Sequence, residues 1–240
     1  RNATITGTNY VGGIAGAQSG TIIDCAFSGS VEAGNKDAGG ITGDAKTGKI
    51  ESCKVDATIK GKTEVGGIAG KTANNFLIKY CEVKQTSSVE GTITTGTSTM
   101  AGGIAGLHAG KICNSVNSGY VKGRGRIGGI AGELSTSGII SNSLNNATVE
   151  VTATTGSAGG IAGYTATSST NSVMQKNVNL GTVTGNSNSK GSIGGFPRTN
   201  VGSNLKWNYY RYYSGAPTAY TGSKADYGAA YDWAGAPVGS

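Results

Sequence analysis

At 240 residues with a net charge of +7 and only 14% charged residues, the chain has room for one large domain or two small ones. Its composition excludes several classes at once: no apolar run approaches the ~20 residues of a membrane helix, and no amphipathic helical pattern runs through it. The 43 glycines do not recur every third residue, which excludes collagen. The positive charge is thinly spread, and its densest cluster, Lys122, Arg124 and Arg126, has no interleaved aromatics of the kind a nucleic-acid groove requires.

Taken in order, the chain is a series of copies of one hexapeptide. Residues 65–70 read Val-Gly-Gly-Ile-Ala-Gly, and close copies lie at 11–16, 38–43, 101–106, 127–132 and 158–163, with a degenerate copy at 193–198. The glycine pairs are Gly12-Gly13, Gly39-Gly40, Gly66-Gly67, Gly102-Gly103, Gly128-Gly129, Gly159-Gly160 and Gly194-Gly195. They begin 27, 27, 36, 26, 31 and 35 residues apart, a period that signals a solenoid. A phosphate-binding loop is excluded, because such a loop occurs once, ahead of a helix, and carries Lys and Ser or Thr at its end. The glycines read instead as a recurring corner where the backbone bends or approaches a neighbour closely.

Between corners, three apolar columns emerge. Ile14, Ile41, Ile68, Ile104, Ile130, Ile161 and Phe196 form one; Ile22, Ile50, Ile78, Ile112, Ile140 and Met174 the second; Val31, Ile59, Ile93, Val121, Val149 and Val183 the third. Three sites per repeat predict three short strands per coil. A repeat of this size cannot bury its own apolar face, so the coils must stack at the ~4.8 Å strand spacing. The predicted fold is all-β: a right-handed parallel β-helix of about seven coils over residues 1–198, with loop insertions at 85–99, 151–157, 164–170 and 185–192. Residues 199–240, rich in Tyr and Trp, read as a C-terminal cap or tail.

Polar columns accompany the apolar ones. Cys25, Cys53 and Cys81 share one position, continued by Ser115, Ser143 and Asn177. Buried free thiols are the first reading there, with a disulfide or a metal site as alternatives, because parallel side chains give poor disulfide geometry. Cys113 has no mate. Asn117, Asn145 and Asn179 align as an asparagine ladder where earlier coils carry Phe27, Val55 and Val83. In the tail, Trp207, Tyr209, Tyr210, Tyr212 and Tyr213 are candidate ligand contacts, since flat amphipathic rings suit sugar stacking.

The recurrent Gly-Gly-Ile-Ala-Gly, followed by Gly20, Gly48 or Gly110 with an Ile and later by Gly29 or Gly119 with a Val, resembles the GLUG motif family. The resemblance implies a bacterial β-solenoid, extracellular or at the cell surface, adhesin-like or part of a secreted peptidase, and a piece of a longer chain. It implies no ligand and no catalytic positions. Zinc proteolysis needs an HExxH pair, whereas the one histidine, His108, reads as a turn residue. Polysaccharide chemistry needs paired carboxylates, and the 13 acids are scattered; Asp24 with Glu51, and Asp37 with Glu64, are the nearest pairs by repeat position. Thr58, Thr92, Thr148 and Thr182 approximate a threonine array, interrupted by Ser30 and Tyr120. The expected function is therefore a non-enzymatic surface module without cofactor, metal, nucleic-acid partner or membrane insertion, binding a host glycan or protein or acting as a spacer. A polysaccharide-processing enzyme is the alternative.

Overall fold

The computed structural model describes residues 2–165, 171–195, 205–211, 214 and 216–218, and the backbone of 228–231. Among these residues every regular element is a β-strand, and all strand pairs are parallel in two sheets of 18 and 11 strands. The strands stack as a β-solenoid of about seven turns, as the repeat period requires.

The middle coils contain five strands each rather than the three expected. A middle coil runs through Glu82–Val83, Ser88–Gly91 and Met100–Gly102 in the larger sheet, then Ala105–His108 and Lys111–Cys113 in the smaller. In an early coil the first three are one continuous strand, Ala26–Gly39, and the last two correspond to Thr42–Glu51. Insertions between the rows interrupt the long strands in later coils. The second and third apolar columns fall on these rows and the first on the bend between the sheets; most of their described members are buried, whereas Ile14 is 47% exposed and Ile22 half-buried in the first coil.

The structure corrects the expected register at two places. Val89, not Ile93, pairs with Ile59 and Val121. The long fourth coil carries two extra residues before this strand and most of its insertion after it, which leaves Ile93 half-buried in a loop. At the last corner, Gly159 pairs with Gly191 and the Ile161 amide donates to the Ile193 carbonyl. The degenerate copy is therefore Gly191-Ser192-Ile193, and Gly194 and Gly195 are not its glycine pair; Gly194 bridges to Ala162 instead. Ile193 fills the column position assigned to Phe196, which lies outside the described residues.

The hexapeptide is the corner between the sheets. The amides of Ile68 and Ala69 both donate to the Ile104 carbonyl, at 2.9 and 3.0 Å. This paired donation recurs from Ile14 and Ala15 up to Ile161 and Ala162, so the ladder is unbroken around the bend. The glycines serve close approach: a Cβ on Gly67 would lie 2.0 Å from the Gly103 carbonyl oxygen and 2.7 Å from Val83 Cγ2. The second glycine of each pair is thus a flat pad for the column Phe27, Val55, Val83, Asn117, Asn145 and Asn179.

A second corner separates the smaller sheet from the next coil. Its residues, Asp24, Ser52, Tyr80, Asn114, Asn142, Lys176 and Trp207, all have left-handed φ between 51° and 56°. Trp207 shows that the stack continues past the boundary expected at residue 198. Leu205–Lys206 pairs with Val173–Gln175, Asn208–Arg211 pairs with Val178–Asn179, and Gly228–Tyr231 pairs with Asn208–Arg211.

Candidate functional site

The polar columns are structural. The asparagine ladder forms as expected: Asn117 Nδ2 donates to Asn145 Oδ1 at 3.0 Å, and Asn145 Nδ2 to Asn179 Oδ1 at 2.8 Å. Each carboxamide also closes its own turn, as when the Gly119 amide donates to Asn117 Oδ1. The parallel pairing of Val83 with Asn117 fixes the register of the two halves. In the neighbouring column all four cysteines are free thiols, counting Cys113. Cys53 and Cys81 are buried and point Sγ at the carbonyls of Glu51 and Lys79. Ser115 and Ser143 make the same bond to Cys113 and Ser141. Asn208 continues the column, its Oδ1 accepting from the Asn177 amide. Contact with Cys53 and burial push the Cys81 thiol upward, so it is held protonated.

His108 is not a turn residue. It lies fully buried in Ala105–His108, with Nδ1 2.8 Å from Thr72 Oγ1. Burial lowers its pKa to about 4, and Nε2 has no hydrogen-bond partner among the described residues. Hydroxyls do stack along the larger sheet, as Thr148 on Thr182 at 2.9 Å, but their row is Thr4, Ser30, Thr58, Ser88 and Tyr120 in the earlier coils, without Thr92.

Either side of the glycine corner carries an outward row of residues. One is Glu64, Met100, Arg126, Ser157 and Ser189; the other is Asp44, Lys71, Leu107, Glu133 and Tyr164. Early in the stack the rows bring Asp37 against Glu64, with Asp44 and Lys71 nearby. Burial, then the hydrogen bond to Glu64 and the charges of Glu64 and Asp44, raise Asp37 to about 7, while Lys71 opposes them. Asp37 is only 2% exposed, whereas Glu64 is half-buried.

Later in the stack the same rows build a cleft. The Arg126 guanidinium pairs through Nη1 with the Glu133 carboxylate, and its Cζ lies 4.4 Å from the centre of the Tyr164 ring. Stacking on the ring and pairing with the acid hold the flexible side chain in one place. Loop lengths supply the walls. The turn from Gly123 to Arg126 is short, whereas the neighbouring coils take longer paths from Gly91 to Met100 and from Val151 to Ser157. The short turn is therefore a floor between two taller loops. Thr97, Thr155, Ser157 and Ser189 line the resulting cleft of about 260 Å³, together with Gly125, Gly156, Gly195, Arg126 and Tyr164. All four expected insertions contribute to it, 164–170 through Tyr164 alone, its other residues falling mainly outside the described ones.

Sequence reasoning placed the candidate contacts in the tail instead, and the three of them that are described differ in exposure. Trp207 is 57% exposed at the left-handed corner, with Lys176 Nζ 5.7 Å from its ring. Tyr209 is half-buried, and Tyr210 is a core residue at 5% exposure, so it offers no face to a ligand. Tyr212 and Tyr213 lie outside the described residues. Arg126, Glu133 and Tyr164 were missed as a group because their separations reflect the coil rather than any local motif. The available signal was the run of unequal repeat lengths around the shortest coil.

A stack of repeated coils with a loop-walled cleft on its flank defines the class as a parallel β-solenoid scaffold. The family model of the GLUG motif matches residues 7–32, and the coil it matches recurs in register along the stack. Searches of curated proteins and of solved structures found no match.

Proposed function

We propose that this solenoid is a non-catalytic binding module of a bacterial cell-surface or secreted protein, and that its ligand, a glycan or glycoprotein of a host, sits in the cleft at Arg126 and Tyr164. The observation supporting this reading is the convergence of insertions from successive coils on one corner around a pre-positioned charged and aromatic pair. Hydroxyls and a ring suit a polyhydroxylated ligand. Loops of a rigid stack are where solenoids place recognition. The tail aromatics are secondary in this scheme, because Tyr210 is buried and Tyr209 half-buried.

An array of mucins, glycans and host glycoproteins probed with the intact chain tests the proposal. Binding is expected to fall at least tenfold in Tyr164→Ala and to persist in Trp207→Ala. Binding that follows Trp207 and ignores Tyr164 would return the site to the tail. An absence of binding to every probe would leave a spacer, and depolymerisation of a bound glycan would favour an enzyme.

A further inference from the structure

We infer that the cleft selects an anionic saccharide, one bearing a carboxylate or a sulfate; this rests on the cleft being the ligand site. The first ground is the unequal exposure of the ion pair. The Glu133 side chain is 11% exposed, whereas that of Arg126 is 37% exposed, so the surface facing the cleft is cationic. A guanidinium has five N–H donors in a planar fork. With Nη1 directed to Glu133 and one face on Tyr164, the remaining donors suit the oxygens of a carboxylate or sulfate.

The second ground is the local charge distribution. Residues 91–132 contain Lys111, Lys122, Arg124 and Arg126 and no acid, and residues 151–225 contain no acid either. Arg124 lies on the same short turn, its Nε donating to the Gly96 carbonyl of the adjoining loop. Elsewhere on the larger sheet cations are matched in register by acids, as Lys60 is by Glu90 at 3.8 Å and Lys122 by Glu150 at 3.8 Å. Both walls of the cleft lack that matching, and among the described residues Glu133, paired to Arg126, is outnumbered by Arg124 and Arg126. The four hydroxyls can bond the neutral part of the sugar while the arginine reads the anion.

Glu133 distinguishes this from a neutral-sugar site. An anion competes with its carboxylate for Arg126, whereas vicinal sugar hydroxyls would use that carboxylate as an acceptor. The experiment measures binding of the intact chain and its variants to a polyuronate, a sulfated dextran and plain dextran, with thermal melts confirming the fold. The expected result is binding to one or both charged polymers but not to dextran, weakening with salt, lost at least tenfold in Arg126→Gln, and tightened severalfold in Glu133→Gln. Preference for the polyuronate or for the sulfated dextran identifies the anion. If Arg126→Gln disturbs the fold, Arg126→Lys keeps the charge without the fork and is expected to show most of the loss. Equal binding of dextran, with weakening in Glu133→Gln and Tyr164→Ala, would overturn the anionic selectivity and leave the cleft in place. Binding indifferent to Arg126 and Tyr164, or absent for all three polymers, would overturn both.

Discussion

At the scale of single residues, glycine is used here in two physically different ways. At Gly67 the backbone is of an ordinary kind and the constraint is space, since an added methyl would sit 2.0 Å from the Gly103 carbonyl oxygen. At Gly20 the situation is reversed: φ is +129° and nothing lies within 4 Å of an added Cβ. Gly67→Ala must push adjacent coils apart, with a cost expected above ~3 kcal/mol by analogy with severe overpacking. Gly20→Ala meets only backbone strain, about 1–2 kcal/mol. Denaturant unfolding of the two variants checks the ordering, and comparable losses would refute the close-approach account of the corner. The second corner reveals the limit of residue types as a guide. Asn114, Asn142 and Asp24 favour left-handed φ, but Tyr80, Lys176 and Trp207 do not, so that column could not be read from composition.

At the scale of elements, the stack changes its internal chemistry part-way along without changing its register. One column passes from Phe27, Val55 and Val83 to Asn117, Asn145 and Asn179, all but Phe27 (6%) no more than 1% exposed. The change is tolerated because each amide meets its own needs: Asn145 Nδ2 reaches both Asn179 Oδ1 and the Ala147 carbonyl, and its Oδ1 accepts from Asn117 and the Ala147 amide. Asn145→Val restores the side chain of the earlier coils but removes the middle of the chain of bonds. Its expected cost is ~2–4 kcal/mol, from several buried bonds at ~1 kcal/mol each plus turn closure. Asn145→Asp is expected to cost more at pH 7, because a carboxylate cannot donate to Asn179 Oδ1. A melting comparison at pH 7 checks the pair. The ladder, the corner and the main apolar columns were legible in the sequence because a parallel stack repeats each environment at a fixed interval. The Ile93 and Gly194 assignments failed for the converse reason: an insertion hides which side of a strand it occupies, and only the inter-coil hydrogen bonds reveal it. The cleft was less legible still, since Arg126 and Tyr164 become neighbours only when coils of unequal length are laid side by side.

At the scale of the whole molecule, two buried titrating groups on different parts of the stack oppose each other in the same pH interval. His108 has a folded pKa of about 4 against an ordinary 6.5, so the unfolded chain binds its proton first as pH falls. Its contribution is complete above pH 6.5 and is lost on descending towards pH 4, by up to ~3 kcal/mol. Asp37 runs the other way. Raised from 3.8 to about 7 beside Glu64 and Asp44, it keeps a proton that the unfolded chain releases, so stability declines as pH climbs from about 4 to 7. The intact chain should therefore show a shallow dependence across this window, which its variants unmask. His108→Leu, a residue already present one coil on at Leu134, leaves the slope of Asp37 alone and should make the protein relatively more stable at pH 4.5 than at pH 7.5. Asp37→Asn keeps a side chain suited to the left-handed φ of 60° and removes the buried acid. It should gain stability at pH 7.5 and become steeply acid-sensitive through His108. Guanidinium midpoints for the three proteins at both pH values decide the matter: slopes of opposite sign in the two variants are required, and parallel slopes would mean that neither group titrates as its burial dictates.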